Sequence, residues 1–147
     1  MSFLTKAELA TVADPAIINL ITGTSAGTDA IADQCIAEGI SLMKSFLSRY
    51  YDVSAIFNAT GDARDLTVLH HLKNIVIHEI WIRHTRKVND VAKLRFDEAM
   101  NWLEKLNEGK FIIKTLPPVG GSLPSPGGQD GQDTRFGVGN SKYENRY

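Results

Sequence analysis

The sequence predicts an all-α protein, a small helical bundle followed by an extended C-terminal arm. Apolar residues recur at three- and four-residue spacings along three long segments, which is the helical period. Helix-capping residues precede several of these segments. Glycine and proline are concentrated near the end of the chain: residues 117–147 hold seven of the 12 glycines and four of the five prolines. We therefore expect a helical body over residues 1–116 and an arm over residues 117–147.

Two short helices are predicted at the N-terminus. Thr5 and Glu8 have the spacing of a capping box, in which each residue satisfies a backbone amide of the other. This pair predicts a helix over about residues 6–12. Asp14 and Pro15 then predict a second helix, because Asp is a preferred N-cap and Pro suits the first helical position.

The first of three longer helices is expected to run to about residue 50, with either Thr28 or Asp29 as its cap. Gly39 lies in its middle, where glycine is unfavourable by about 1 kcal/mol relative to alanine. A close crossing with another helix would explain a glycine there. After this helix, Asp52 is expected to cap one further turn.

The second long helix, over residues 65–86, is the most hydrophobic part of the chain. Its apolar side chains cover most of the helix circumference, so we expect it to be the central helix. The third long helix has either Asn89 or Asp90 as its cap. Gly109 is expected to end it, because glycine readily adopts the left-handed conformation of that position.

Candidate metal ligands are few. Four histidines lie on the central helix, and two of them, His71 and His78, share a face. A zinc site needs more ligands, and the residues after His78 lack a second histidine four positions on. The pattern favours partly buried structural histidines. Cys35 is the only cysteine, which favours a buried apolar role and excludes an intrachain disulfide.

Candidate catalytic groups are also few. The spacing of Arg64 and His70 resembles the short signature of HEPN-type ribonucleases, but Arg64 is expected in a loop and polar catalytic partners are missing nearby. No glycine-rich phosphate loop follows a strand, and nothing brings a serine beside a histidine. The sequence therefore predicts no catalytic residue, no cofactor and no metal.

Charge and hydropathy exclude several classes of function. With 16 basic and 17 acidic residues, the chain lacks the basic excess of a protein whose main role is to bind nucleic acid. It remains compatible with a protein that surrounds DNA without binding it tightly. No apolar run reaches the length of a membrane span, and no signal-peptide pattern is present. The basic cluster Arg83, Arg86 and Lys87 is typical of a solvated helix end.

The arm has too few apolar side chains to offset the entropy of ordering its backbone, so we expect it to become ordered only on a partner. Residues 134–140 are the best candidate for a strand added to the edge of a partner's sheet. Aromatic and arginine side chains dominate many protein interfaces. The predicted interface residues of the arm are Arg135, Phe136, Val138, Tyr143, Arg146 and Tyr147.

Three stretches together resemble one family of small phage proteins, the phage Mu gp36-like family (the DUF1320 group). They are residues 3–9 (FLTKAEL), 46–52 (FLSRYYD) and 96–110 (FDEAMNWLEKLNEGK). The resemblance covers about residues 3–116 and leaves out the arm. The sequence departs from the family in the central helix, at residues 74–80.

The resemblance implies a head-completion or head–tail connector protein of a tailed bacteriophage. Such proteins form a homo-oligomeric ring, commonly of about twelve copies, beneath the portal protein, and they extend the DNA channel toward the next neck or tail ring. The implied location is the neck of the virion, with assembly in the host cytoplasm. The alternative is a helical adaptor or regulatory protein, unconnected with virions, that binds a protein partner through its arm.

Overall fold

The computed structural model describes residues 2–23, 29–84 and 88–121, with the backbone alone for Asp29 and His84. Over these ranges the chain is helical and contains no β-strand, which confirms the predicted all-α fold. A 3₁₀-helix at Lys6–Thr11 precedes five α-helices, and single 3₁₀ turns lie at Gly61–Ala63 and Val119–Gly121. The α-helices are α1 (Pro15–Thr22), α2 (Asp29–Leu47), α3 (Val53–Asn58), α4 (Leu66–His84) and α5 (Asp90–Asn107).

Side-chain caps begin three of the helices at the predicted places. The Asp14 carboxylate accepts from the Ala16 amide, the Asp52 carboxylate from the Ser54 and Ala55 amides, and the Asn89 side chain from the Val91 amide, at 2.8–3.0 Å. Each cap satisfies an amide that the first helical turn leaves without a partner. Of the two caps considered for α5, the structure has Asn89.

The central position predicted for the most hydrophobic helix is confirmed. α4 carries fully buried side chains at Val68, Leu72, Ile75 and Val76. Helices α1, α2 and α5 all pack against it. α5 runs antiparallel to α4, because His71 and His78 contact Trp102 and Phe96 in reverse order along the chain.

The close helix crossing predicted at Gly39 is also confirmed. A Cβ atom added to Gly39 would lie 3.1 Å from both Leu72 Cδ1 and Val76 Cγ2 on α4. A side chain larger than that of alanine at this position would push α2 and α4 apart. The cost of a glycine in the helix interior is thus offset by close packing of the two helices.

Two helix ends define one end of the bundle. α2 ends at Leu47, three residues before the predicted position, because residues 48–50 form a turn. α5 ends as predicted near Gly109, which has a φ of 72°. Arg49 joins the two helix ends by donating to the Asn107 carbonyl at 3.0 Å. The predicted turn after α1, the Thr28 cap and the last residues of the predicted central helix lie outside the described residues.

Candidate interaction surfaces

The first surface is the place where the predicted arm leaves the body. Residues 117–119 pair in antiparallel fashion with residues 50–52. The Asp52 amide donates to the Pro117 carbonyl at 2.9 Å, and the Val119 amide donates to the Tyr50 carbonyl at 2.9 Å. We call this pairing the anchor. The first residues of the predicted arm therefore lie against the helical body.

The sequence of the anchor explains its hydrogen bonds. Pro117 and Pro118 have no N–H group, so only the Pro117 carbonyl and the Val119 amide take part in the pairing. Residues 50–52 of the anchor are held in place by the side chain of Tyr51, which is only 1% exposed. The Tyr51 hydroxyl accepts from the Ile113 amide at 2.9 Å. One buried side chain thus fixes both the chain after α5 and the start of the arm.

The second surface is a groove of about 140 Å³ on α4, between α1 and α5. Its floor is a stripe of α4 formed by Asn74, Ile77 and Trp81, which are spaced by three and four residues. We call this site the α1–α5 groove. Its remaining lining residues are Val12, Ala13, Asp14 and Ile17 on one side and Asn89, Val91, Ala92 and Arg95 on the other.

The exposed lining residues of the α1–α5 groove are mixed in character, because Asp14, Asn89 and Arg95 are polar or charged and Val91 is apolar. Val91 is 57% exposed, although it is a large hydrophobic residue. Asn74 is buried in the floor, and its amide nitrogen lies 3.3 Å from His70 Nε2. Arg95 donates to the Val12 carbonyl at 3.2 Å and so joins the two walls. The site is an apolar groove with polar groups along its sides, a composition common in binding sites.

The anchor and the groove lie at opposite ends of the bundle. α5 begins beside the groove at Asn89 and Val91, and it ends beside Tyr50, whose hydroxyl oxygen is 3.2 Å from the position of a Cβ on Gly109. Its 18 residues correspond to a length of about 27 Å. A molecule bound in the groove is therefore remote from the start of the arm.

The histidines on the shared face of α4 stack on aromatic rings of α5. His71 lies 4.3 Å from Trp102, and His78 lies 3.9 Å from Phe96, with nearly parallel rings. The Nδ1 atoms of both imidazoles are buried and have no hydrogen-bond partner among the described residues; the Glu79 carboxylate is 3.8 Å from His78 Nδ1. Burial, and then the neighbouring His70, lower the pKa of His71 to about 4. The His84 side chain lies outside the described residues.

Arg64 and His70, the pair with ribonuclease-like spacing, make separate structural contacts. Arg64 forms an ion pair with Glu8 at 2.7 Å and donates to the Phe3 carbonyl at 2.7 Å. The hydrogen bond from Arg64 lowers the pKa of Glu8 to about 2. Glu8 also accepts from the Thr5 amide at 3.0 Å, as the predicted capping box requires. Arg64 therefore fixes the N-terminal 3₁₀-helix to the segment before α4.

The other candidate residues have simple positions. Cys35 is fully buried, as predicted, and this burial raises the pKa of its thiol. Among the described residues, no group of three or more His, Cys, Asp or Glu side chains is placed to hold a metal ion.

Of the predicted basic cluster, Arg83 pairs with Glu38 at 3.0 Å. Arg86 and Lys87 lie outside the described residues. The same is true of all six predicted arm residues, Arg135, Phe136, Val138, Tyr143, Arg146 and Tyr147.

Neither the anchor nor the groove was predicted from the sequence. The anchor has a partial signal, because residues 50–52 belong to one of the stretches that resemble the phage family. The groove has a weaker sequence signal: Val91 is a large hydrophobic residue that lies away from the inner face of α5, which Ala99, Leu103 and Leu106 form. Apolar residues off the inner face of a helix are a signal for a second contact surface.

Comparison with protein families, curated proteins and solved structures found no match to this chain. The resemblance to the phage family and the connector role that it implies therefore stay predictions. In the part of the chain that the structure describes, no helix combines the length and the apolar character needed to cross a membrane.

Proposed function

We propose that this chain is a non-enzymatic head–tail connector subunit of a tailed phage. Copies of it form a ring between the portal protein and the next neck or tail ring, and the ring continues the DNA channel. The observation that supports this role most directly is the anchor. It gives the C-terminal segment a defined starting point on one end of a helical body.

The anchor suits a subunit that reaches its neighbours. Two backbone hydrogen bonds and the buried Tyr51 hold residues 117–119, so the following residues leave the body from one place. The glycine and proline content beyond that point disfavours a separate core. A segment of this kind gains order by pairing with another chain. In a ring, every copy presents the same segment in the same orientation, and many weak contacts together become strong.

The polar side chains of the body also favour a structural role. His71 and His78 stack on aromatic rings, Arg64 pairs with Glu8, and Arg83 pairs with Glu38. These contacts join helices and loops to one another. The near balance of 16 basic and 17 acidic residues agrees with a channel through which DNA passes without sequence-specific binding.

The test is addition of the purified chain to purified portal rings of the same virus, followed by electron microscopy. We expect the full chain to add a coaxial layer of density on one face of the portal. A chain truncated after Gly121 is expected to keep its helical circular dichroism and its melting temperature but to add no layer. Truncation after Leu116 is the matched comparison, because it also removes the Pro117 and Val119 hydrogen bonds of the anchor.

Two outcomes would contradict the proposal. If the full chain is folded and leaves the portal rings bare at saturating concentration, it is not a connector, and the adaptor alternative is favoured. If the chain truncated after Gly121 adds to the portal as well as the full chain does, the C-terminal segment has no part in assembly.

A further inference from the structure

We propose that the α1–α5 groove binds the Phe136 side chain from the C-terminal segment of a second copy of this chain. Neighbouring copies would then be joined from segment to groove. This inference rests on the proposed assembly of copies into a ring, and it identifies the contact between them.

The dimensions of the groove fit one aromatic ring. Its volume is about 140 Å³, and an apolar protein cavity of about 150 Å³ is large enough to bind benzene. Ile77 forms part of the floor, Ile17 part of one wall, and Trp81 offers an indole ring against which a second ring can stack. Val91 at the rim gains burial when a segment covers it.

Phe136 is the aromatic residue of the segment that fits this site best. Unlike Tyr143 and Tyr147, it has no hydroxyl group that needs a partner when the ring is buried. Gly137 follows it directly, and glycine allows the backbone to approach the rim closely.

The charges beside Phe136 complement those of the groove. Asp133 and Arg135 precede the ring in the sequence, and the walls of the groove carry Arg95 and Asp14. Arg95 and Asp14 are exposed, so pairing with the segment does not require burial of an unpaired charge. Such pairs set the register and orientation of a contact more than its strength.

The positions of the anchor and the groove allow a contact between copies. Phe136 follows Gly121 by 15 residues, a distance of up to about 50 Å at about 3.3 Å per residue. On α5 the groove extends to Arg95, and the helix ends at Asn107, so roughly 18 Å of helix lies between the two surfaces at about 1.5 Å per residue. The segment is therefore long enough to reach the groove of an adjacent body. A contact that joins opposite ends of identical subunits is heterologous, and contacts of this type form a ring when the rotation between neighbouring copies closes.

The test uses full-length variants and sedimentation velocity. Val91→Arg places a charge on the groove, and Phe136→Ala removes the ring. Leu66→Arg is the matched control, because Leu66 is 77% exposed and lies at the start of α4, away from the groove. We expect oligomers from the wild type and Leu66→Arg, and monomers from Val91→Arg and Phe136→Ala. All four should have the same helical circular dichroism.

A mixture of the two monomeric variants distinguishes a segment bound by a second chain from a segment bound by its own chain. Val91→Arg keeps an intact segment, and Phe136→Ala keeps an intact groove, so one productive contact remains possible between them. We expect the mixture to form 1:1 dimers and nothing larger. A disulfide between cysteines placed at positions 91 and 136 should likewise join separate chains on a non-reducing gel.

Three results would overturn the inference. The first is a wild-type chain that stays monomeric up to about 1 mM, where even a contact of about −4 kcal/mol populates oligomers. The second is a mixture without dimers and a disulfide that closes within one chain, which would mean that each segment covers its own groove. The third is a Val91→Arg chain that adds to portal rings as the wild type does; this result contradicts the groove contact and leaves the connector role in place.

Discussion

Helix α4 packs against α2 on one side and against α5 on another, and the two interfaces are built differently. The α2 side is aliphatic and close, with Gly39 directly over Leu72 and Val76. The α5 side contains two imidazole–aromatic stacks with buried ring nitrogens. The buried part of the α2 interface therefore depends on shape, whereas the α5 interface depends on shape and on the protonation of His71. This difference predicts which substitutions and conditions weaken each side.

The largest effect is expected from Gly39→Leu. The added Cβ would lie 3.1 Å from two side-chain atoms of α4, and three further carbons would extend from it. Overpacking of this kind costs about 1–3 kcal/mol and sometimes more, so we expect a loss of about 3 kcal/mol in the free energy of unfolding. Urea denaturation followed by circular dichroism measures it.

Gly39→Ala is the matched control for this prediction. Its single carbon needs only a small shift of the ends of Leu72 and Val76, and the gain in helix propensity is about 1 kcal/mol. The two effects oppose each other, so we expect a net change within about 1 kcal/mol. A Gly39→Leu protein as stable as the wild type would mean that α2 and α4 do not cross closely in solution.

The second-largest effect is expected from pH, because the stability of the interface between α4 and α5 depends on His71. The pKa of His71 is about 4 in the folded chain against 6.5 as the ordinary value, so the unfolded chain binds more protons between these limits. The stability that the neutral His71 contributes is therefore fully present above pH 6.5 and is lost as the pH drops toward 4. Because the ring is only partly buried, we expect a loss of about 1–2 kcal/mol between pH 7 and pH 5.

The pH series is measured as urea midpoints for the wild type, His71→Phe and His70→Gln. The ion pair of Glu8 and Arg64 does not obscure the result. Because the pKa of Glu8 is lowered, the stability that this ion pair contributes is lost only below about pH 4.5. His71→Phe keeps a ring against Trp102 and should flatten the profile, whereas His70→Gln should retain most of the slope. An unchanged slope in His71→Phe would assign the pH dependence to other groups.

A smaller effect is expected from Phe96→Leu, also on the α5 side. This change keeps an apolar side chain and removes the ring that stacks 3.9 Å from His78. Stacked ring pairs contribute about 0.5–1.5 kcal/mol beyond their buried area, so we expect a loss of about 1–2 kcal/mol by urea denaturation. Met100→Leu, a partly buried change of similar volume on the same helix, should cost less than about 1 kcal/mol. Equal losses would mean that stacking adds nothing specific.

The smallest effect is expected at the outer edge of the α2 interface. Arg83 donates to both carboxylate oxygens of Glu38, at 3.0 and 3.1 Å, near the surface. Exposed ion pairs contribute about 0–1 kcal/mol. Glu38→Gln should therefore lower the melting temperature slightly in low salt and hardly at all in 1 M salt, because salt screens the pair. A large loss that persists in high salt would show that Glu38 supports the packing itself.

Local sequence determined much of the fold. Asp14, Asp52 and Asn89 cap helices because their side chains reach amides two or three residues away, and such contacts can be read from neighbouring residues alone. The cost of a glycine in a helix interior was sufficient to predict a crossing at Gly39. The apolar residues around most of the circumference of α4 were sufficient to predict its central position.

The tertiary structure alone decided which residues distant in the chain contact one another. Tyr51 binds the Ile113 amide across 62 residues of chain, and it lies opposite Pro118 in the anchor. His71 and His78 find Trp102 and Phe96 on another helix, and the groove exists because α1 and α5 leave a stripe of α4 between them. Periodicity identifies the apolar face of a helix, but the packing of all helices together decides which neighbour covers that face and which part stays open.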